Sequence, residues 1–384
     1  MRLYRLFLYY CLLTGSFFWQ QCRPANTSAS TAATTSDAYY GIDDFVSVKK
    51  YDTHVHLNVY DTTFVSQAKA DNFRLLTVNV TPAYYPPKEE QRSIAMRLVK
   101  EYPAQLAYAT TFSIDDYNTD GWQQRSIAYL KESFDKGAIA VKVWKHVGME
   151  LRDKNGKFVM IDNPKFDPVI DYIAKRQIPL IGHLGEPKNA WLPLNQMNIK
   201  SNQNYFSKHP EYHMYLHPEY PSYDDQIRAR DHMLEKHPDL KFIGAHLGSL
   251  EWSIDELASR LDKFPNMAVD MAARLSGLQY QAVTNWKGVR DFFIKYQDRL
   301  IYATDLEAGG TINAPELEKR IHESWFRDWT FFVGDNEMHS TGFDAPFKAL
   351  KLPKAVVDKI YRTNAEKWFF LSNRLLIRRE GKNL

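Results

Sequence analysis

The chain has 384 residues, of which 44% are hydrophobic and 14% aromatic, enough for one large barrel or two average domains. Its 49 basic and 46 acidic residues are interspersed and leave a net charge of only +3. This balance, with no long basic block, argues against a nucleic-acid partner and favours a small molecule.

The N-terminal 22 residues indicate an export signal. A short basic region precedes an apolar stretch over residues 6–19, which is too short and too weakly flanked for a transmembrane helix. Residues 23–44, rich in Ser, Thr and Ala, predict a flexible linker. The position of Cys22 is typical of a lipoprotein acylation site, although the residues before it depart from the usual small-residue pattern. An ordinary cleaved signal is the alternative, so we expect a periplasmic protein or a membrane-anchored lipoprotein.

Cys22 and Cys11 are the two cysteines, and both precede the part expected to fold. Neither a disulfide framework nor a cysteine-based zinc site is therefore expected in that part. We expect contact with a membrane only through a lipid on Cys22, and the sequence leaves open whether the chain forms a homo-oligomer.

Residues 45–376 alternate short β-rich runs with longer amphipathic stretches and predict one domain, followed by a tail at 377–384. Apolar runs rich in Val, Ile, Leu and Ala predict buried parallel strands at Lys50–His54, Leu75–Val80, Leu106–Thr111, Ala138–Trp144, Pro179–His183, Lys241–His246, Ala268–Met271 and Leu300–Thr304. Eight strands, most of them followed by a helical pattern, predict an α/β fold of the (β/α)8 TIM barrel type. The alternative, a doubly wound open sheet, would carry a Gly-rich phosphate loop after its first strand, and the sequence has none.

Two connections between predicted strands are unusually long and rich in aromatic residues. They cover Glu186–Ser222, after the fifth strand, and Glu307–Thr341, after the eighth. In a barrel both would lie on the C-terminal face, where long loops commonly serve as lids over an active site.

His54 and His56 lie where the first predicted strand ends, preceded by Asp52 and Thr53. Residues two apart in a strand point to the same face, so both imidazoles can face one metal ion. Asp52 and Thr53 are candidates for orienting these ligands. A His-x-His pair also arises by chance, and its meaning depends on further ligands.

Four other predicted strand ends carry residue types that suit a metal site: Lys142 on the fourth, His183 on the fifth, His246 on the sixth and Asp305 on the eighth. Singly, each has an ordinary explanation, such as a hydrogen-bonded core histidine or a helix cap. Lys142 lies inside an apolar strand, where an unpaired ammonium is costly and implies a specific partner or a modification. The joint pattern favours a metal centre.

This ordered motif set, from Asp52 to Asp305, resembles the amidohydrolase superfamily of metal-dependent barrels, and most closely its amidohydrolase-related branch of hydrolases, decarboxylases and hydratases. The resemblance implies that His54, His56 and His183 are metal ligands. It implies that Asp305 is both a ligand and the general base that accepts a proton from water.

The resemblance gives His246 one of two roles: ligand to a second metal ion, or, in a mononuclear site, a catalytic residue that orients water and polarises the substrate. Lys142 matches the position that is carbamylated in binuclear members, where it bridges two ions. Imidazole and carboxylate donors suit Zn²⁺, and also Mn²⁺ or Fe²⁺. We therefore expect one or two divalent ions, with zinc favoured.

Two further residues are candidates for substrate binding. Arg274, just after the seventh strand, could hold a substrate carboxylate through two hydrogen bonds. Glu186, which follows His183-Leu-Gly, would lie at the rim near substrate or Lys145. A structural ion pair is the alternative for each.

Three functions fit these observations. The favoured one is a metal-dependent hydrolase that directs water against an amide, lactone or ester of a small molecule. The second is a non-hydrolytic decarboxylase or hydratase of a small carboxylated substrate with the same ligands. The third is a non-catalytic periplasmic ligand-binding barrel, which has no need of Asp305. Sequence motifs for a serine-hydrolase elbow, a phosphate loop or a dinucleotide fingerprint are absent.

Overall fold

The computed structural model describes residues 38–82, 84–309 and 313–370. The expected signal, Cys22 and the expected C-terminal tail lie outside the described residues. Residues 38–44, the end of the expected linker, contact the barrel, where the indole Nε1 of Trp329 lies 3.2 Å from the carbonyl of Ile42. Within the described ranges, no helix has the length and apolar character needed to cross a membrane.

Parallel strands curl into the barrel predicted from the alternating pattern. Their order is β8-β7-β6-β5-β4-β3-β2-β1-β9, so β1 to β8 pair with their neighbours in sequence and β9 pairs with β1. Their bounds are β1 Lys50–Leu57, β2 Phe73–Val78, β3 Leu106–Thr111, β4 Ala140–Val143, β5 Leu180–Gly182, β6 Phe242–Gly244, β7 Met267–Asp270, β8 Leu300–Ile301 and β9 Leu306–Ala308. Nearly all of these residues are buried, as expected of a sheet covered by helices on its outer face and filled by side chains within.

The barrel closes through the segment that contains β8 and β9. The sequence predicts one strand here, Leu300–Thr304. The structure has two short strands, β8 at the start of that range and β9 just beyond it. β8 pairs with β7, and β9 pairs with β1 in the register Val55 with Leu306. Between them, the amide of Asp305 donates to the carbonyl of His54 over 2.8 Å. The last strand thus holds Asp305 against the first.

Helices surround the barrel and connect its strands. In the described residues the α-helical segments are α1 Thr63–Ala70, α2 Lys88–Glu101, α3 Trp122–Asp135, α4 His146–Met149, α5 Asp167–Lys175, α6 Lys200–Lys208, α7 Tyr223–Lys236, α8 Ala245–Gly248, α9 Ile254–Lys263, α10 Leu275–Lys295, α11 Ala314–Val333 and α12 Lys354–Asp358. An antiparallel hairpin of β10 Glu337–Ser340 and β11 Phe343–Lys348 follows α11.

The expectation that residues 307–341 form a lid loop is wrong. Most of this segment is the 20-residue helix α11, capped by Asn313, whose side chain accepts from the amide of Glu316. Trp325, Trp329 and Phe332 are fully buried in the main core. Their i, i+4, i+7 spacing places them on one helix face, so these aromatic residues are a packing stripe of an outer helix.

The other long connection, residues 186–222, does lie over the carboxyl ends of the strands. It contains α6 and several short 3-10 helices. Met197, Phe206 and Met214 of this connection form a small apolar cluster with Met149 of α4, which fixes the connection in place. Its residues Tyr205 and Tyr212 face the cavity described next.

Candidate metal centre

A cavity of about 800 Å³ opens at the carboxyl ends of the strands. The six residues that the sequence singles out as ligands or near-ligands all line this cavity, and they come from five different places around the barrel: His54, His56, Lys142, His183, His246 and Asp305. The structure therefore brings together in space what the sequence separates by up to 251 positions.

His54, His56 and Asp305 form the tightest group of potential ligands in the described part of the chain. Each offers one atom, and these three atoms lie within 4.8 Å of one another. Both histidines stand on β1, which extends beyond the predicted end at His54 to Leu57. Asp305 adopts a left-handed backbone conformation, with φ of 69°. That conformation is strained for a residue other than glycine and is found most often at functional sites.

The hydrogen bonds of His56 indicate what the group can bind. Its Nδ1 lies 2.7 Å from the carbonyl oxygen of Val78, which can only accept, so Nδ1 carries the proton of the neutral ring. When the ring is neutral, its Nε2 presents a lone pair, and this atom lies 3.2 Å from Oδ1 of Asp305. Two acceptors at this distance repel each other unless a cation lies between them. The donor set thus fits a divalent metal ion.

His54 is oriented for the same purpose. Its Nδ1 lies 2.9 Å from Oδ2 of Asp270, and its Nε2 lies 3.4 Å from Oδ1 of Asp305 and 3.2 Å from Nζ of Lys142. Burial and the nearby charge of Lys142 lower the pKa of His54, and Asp270 opposes this shift. The ring is therefore neutral at physiological pH, with its Nε2 lone pair facing the cavity.

His183 and His246 stand beside this group. Their ring centroids are 4.1 Å apart, and that of His246 is 5.1 Å from that of His54. Nε2 of His183 is buried and has no hydrogen-bond partner among the described residues. An orphaned imidazole nitrogen fits a metal ligand, although His183 does not belong to the tight group of His54, His56 and Asp305.

His246 is neutral as well, because burial lowers its pKa to about 3. Its Nδ1 donates to the carbonyl of Ala272 over 2.9 Å, which leaves a lone pair on Nε2. His246 adopts a left-handed conformation with φ of 58°, and its amide donates to Oδ1 of Asp270 over 2.7 Å. As a neutral ring with Nδ1–H, it can accept a proton or a hydrogen bond but not donate one from Nε2.

The side chain of Lys142 is 1% exposed and points into the centre. Burial lowers its pKa to about 8, and the nearby carboxylates of Asp270 and Asp305 oppose the shift. A lysine with a lowered pKa deprotonates more readily than an exposed one, and its amine form is a nucleophile. Carbamylation of Lys142 and a second metal ion remain predictions.

The sequence analysis did not identify Asp270. This carboxylate ends β7 and contacts both His54 and His246. The sequence does carry a signal for Asp270, because this acidic residue ends the apolar run Met267–Asp270. Asp305 likewise follows the apolar run of β8. Asp52 and Thr53, the residues proposed to orient the ligands, bond to the main chain, and Oδ1 of Asp52 accepts from the amide of His54 over 3.3 Å.

Asp52 joins β1 to the closing segment. Its carboxylate accepts from the amide of Thr304 over 3.1 Å and from the indole Nε1 of Trp325 over 2.9 Å. Burial raises the pKa of Asp52 to about 7, and these hydrogen bonds oppose the shift. The hydroxyl of Thr53 donates to the carbonyl of Tyr302 over 3.0 Å. Both residues therefore act on barrel closure.

A second wall of the cavity carries charges. Lys145 and Glu186 form a buried ion pair, and a guanidinium nitrogen of Arg274 lies 3.7 Å from the other oxygen of Glu186. Nζ of Lys145 also lies 3.9 Å from the centre of the Tyr212 ring. Both predicted substrate contacts, Glu186 and Arg274, thus line the cavity and contact each other.

The strands form a parallel barrel, and histidines and an aspartate gather at their carboxyl ends. This arrangement is typical of metal-dependent enzymes. The chain belongs to the amidohydrolase family, whose sequence profile matches residues 51–371. Enzymes of this family act on small molecules. No curated protein matches the sequence.

Several solved structures are similar to this chain at low sequence identity. An uncharacterized TIM-barrel protein from Bordetella bronchiseptica is 13% identical, with a TM-score of 0.52 over 84% of this chain and 98% of that one. A manganese-bound 5-carboxyvanillate decarboxylase from Novosphingobium aromaticivorans is 13% identical, with a TM-score of 0.43 over 87% of this chain and 100% of that one. A 4-oxalomesaconate hydratase from Rhodopseudomonas palustris is 10% identical, with a TM-score of 0.43 over 87% of this chain and 99% of that one.

Proposed function

We propose that the chain is a metal-dependent hydrolase that directs water against an amide, lactone or ester of a small molecule. The observation that supports a metal most directly is the 3.2 Å approach of His56 Nε2 to Asp305 Oδ1. His54, His56 and Asp305 would hold the ion. Nε2 of His183, which has no hydrogen-bond partner in the described part of the chain, would complete the set.

The donor chemistry favours zinc. Three imidazole nitrogens and one carboxylate oxygen suit Zn²⁺ best, and Mn²⁺ or Fe²⁺ also fit. The ion, when bound, supplies Lewis acidity that lowers the pKa of water from 15.7 to about 7 and so makes it a nucleophile at neutral pH.

Asp305 is placed to accept the proton that water loses. Its side chain is 30% exposed and reaches the cavity. A cation held beside it would favour the ionised form of this carboxylate. The carboxylate is therefore ionised and able to act as general base.

His246 would orient the same water as a hydrogen-bond acceptor. Since its Nδ1–H is committed to Ala272, its Nε2 cannot donate to a substrate carbonyl. Of the two mononuclear roles expected from the sequence, the geometry supports the orientation of water over the polarisation of the substrate.

The charged wall would bind the rest of the substrate. Lys145 and Arg274 share the single carboxylate of Glu186, and an additional anionic group on the substrate would pair with Arg274. Arg274→Met should raise KM for a carboxylated substrate by about 10- to 100-fold while metal content stays unchanged. An unchanged KM would remove Arg274 from the substrate site.

A metal-dependent decarboxylase or hydratase is the second candidate, and the same positive wall favours it, because these reactions act on carboxylated molecules. The two functions separate in a turnover screen of the metal-loaded chain. Release of acid from amides, lactones or esters supports the hydrolase, whereas release of CO₂ or hydration of an alkene from carboxylated substrates supports the alternative. Ligand binding without turnover of any of them would support the non-catalytic barrel.

A further inference from the structure

Asp270 is the last residue of β7 and is 1% exposed. Among the described residues, three N–H groups donate to its two oxygens. Nδ1 of His54 lies 2.9 Å from Oδ2, and the amides of His246 and Ala272 lie 2.7 Å and 3.2 Å from Oδ1. One carboxylate thus connects the first, sixth and seventh strands of the barrel.

The neighbours of Asp270 and His54 show which atom of the pair donates. The amides of His246 and Ala272 donate to Oδ1 of Asp270, so the carboxylate already acts as an acceptor. An ionised carboxylate can only accept hydrogen bonds, so Nδ1 of His54 must be the donor. The other face of the ring agrees, since the ammonium of Lys142 donates toward Nε2 over 3.2 Å.

We propose that Asp270 is a positioning residue with two roles. It fixes the tautomer of His54, so that Nε2 keeps its lone pair for the metal. It also holds the backbone turn that directs His246 toward the same point. The inference rests on the metal centre of the proposed function. It adds a residue that never contacts the ion.

His54 depends on a side chain for its orientation in a way that its neighbours do not. The tautomers of His56 and His246 are set by the main-chain carbonyls of Val78 and Ala272. No side-chain substitution removes those acceptors. His54 has the carboxylate of Asp270 in that place, so its tautomer is open to mutation.

The backbone of His246 gives Asp270 its second task. A left-handed backbone conformation is strained for a residue with a Cβ. The short hydrogen bond from the amide of His246 to Asp270 helps to offset that strain. The same carboxylate therefore stabilises the conformation from which the His246 ring reaches to within 5.1 Å of His54.

Asp270→Asn tests the tautomer without a change of shape. If Oδ1 of the new amide keeps the two main-chain donors, its NH₂ group faces Nδ1 of His54 and forces that nitrogen to accept. The proton of His54 then moves to Nε2, where it blocks the metal. We expect zinc affinity, measured by competition of the metal-loaded full chain with a chelator, to fall about 10- to 100-fold.

Asp328→Asn is the matched control. Asp328 is also a largely buried carboxylate, but it accepts from the hydroxyl of Tyr302 and contacts none of the proposed ligands. We expect this variant to bind zinc within about threefold of the wild-type chain. Thermal unfolding of both variants shows whether the fold is retained.

Imidazole ¹⁵N spectra of the metal-stripped full chain supply a readout that loss of packing would not move. The wild-type ring of His54 should carry its proton on Nδ1, and Asp270→Asn should move it to Nε2. Unchanged zinc affinity or an unchanged tautomer in the variant would overturn the proposal. If the variant does not fold, a wild-type His54 with Nε2–H overturns it equally.

The two proposals fail in different ways. A wild-type chain that binds no zinc, manganese or iron defeats the proposed metal centre itself. A wild-type chain that binds metal, with Asp270→Asn binding equally well, leaves the centre intact and removes only the role of Asp270.

Discussion

His56 and Asp305 face each other across the closure of the barrel, with Nε2 of the ring 3.2 Å from Oδ1 of the carboxylate. The residue before His56, Val55, pairs with the residue after Asp305, Leu306. The β1–β9 register that closes the sheet therefore also sets the distance between two proposed ligands.

Asp305→Asn should abolish most turnover. The amide cannot accept a proton, and a positioned general base contributes about 100- to 10,000-fold to rate. We expect kcat to fall by that factor on whichever substrate the screen identifies, measured at saturating zinc because the substitution also weakens a ligand. Wild-type kcat in the zinc-loaded variant would show that another residue is the base.

Lys142→Met tests the second ion. If Lys142 is carbamylated and bridges two ions, the variant should lose one metal equivalent of two, since the methionine side chain offers no oxygen ligand. Elemental analysis of the purified chain measures this, with thermal unfolding as the check on folding. The same metal content in variant and wild type would favour a mononuclear site.

Lys50 gives a pH dependence of stability that is independent of the metal centre. It is fully buried, between the rings of Phe45 and Phe73, and burial lowers its pKa from 10.5 to about 7 while Asp71 opposes the shift. Between these pH values the unfolded chain binds a proton that the folded chain has released. Stability from this group therefore rises with pH, from about 7 to about 10.

Lys50→Met removes this contribution. The free energy of unfolding of the wild type, minus that of the variant, should increase from pH 7 to pH 9.5 by up to about 3 kcal/mol, at about 1.4 kcal/mol per pKa unit. Urea unfolding at the two pH values measures the difference. A difference that does not change with pH would mean that the buried amine keeps an ordinary pKa.

Cys22→Ser tests the proposed lipid anchor. The expressed full chain should move from the membrane fraction to the soluble fraction, because a serine hydroxyl in place of the thiol removes the acylation site. Cys11→Ser is the control and should leave the chain in the membrane fraction. Equal partition of Cys22→Ser and wild type would leave an ordinary signal peptide as the explanation.

The strands and the residues proposed as metal ligands were predictable from sequence for the same reason. Buried parallel strands are short apolar runs, and a polar residue that ends such a run stands out, as His183, His246 and Asp305 do. The barrel then places the ends of all strands at one face. Local pattern and fold class together were enough to gather the proposed ligands.

Features that depend on distant contacts were not predictable in this way. Trp325 and Trp329 have a local helical spacing, but their burial depends on the packing of α11 into the main core. Asp270 does end an apolar run, but its role depends on a hydrogen bond to His54, 216 positions away, which the local pattern does not show. The contact between Glu186 and Arg274 likewise joins the ends of two different strands.

The metal content of the purified full chain tests the central claim most directly. After growth with zinc and manganese, elemental analysis should find one or two equivalents of a divalent transition metal per chain. A double variant, His54→Ala with His56→Ala, should contain less than about a tenth of that amount, since it lacks two of the proposed ligands. A wild-type chain without metal, or a double variant that retains the wild-type content, would contradict the account.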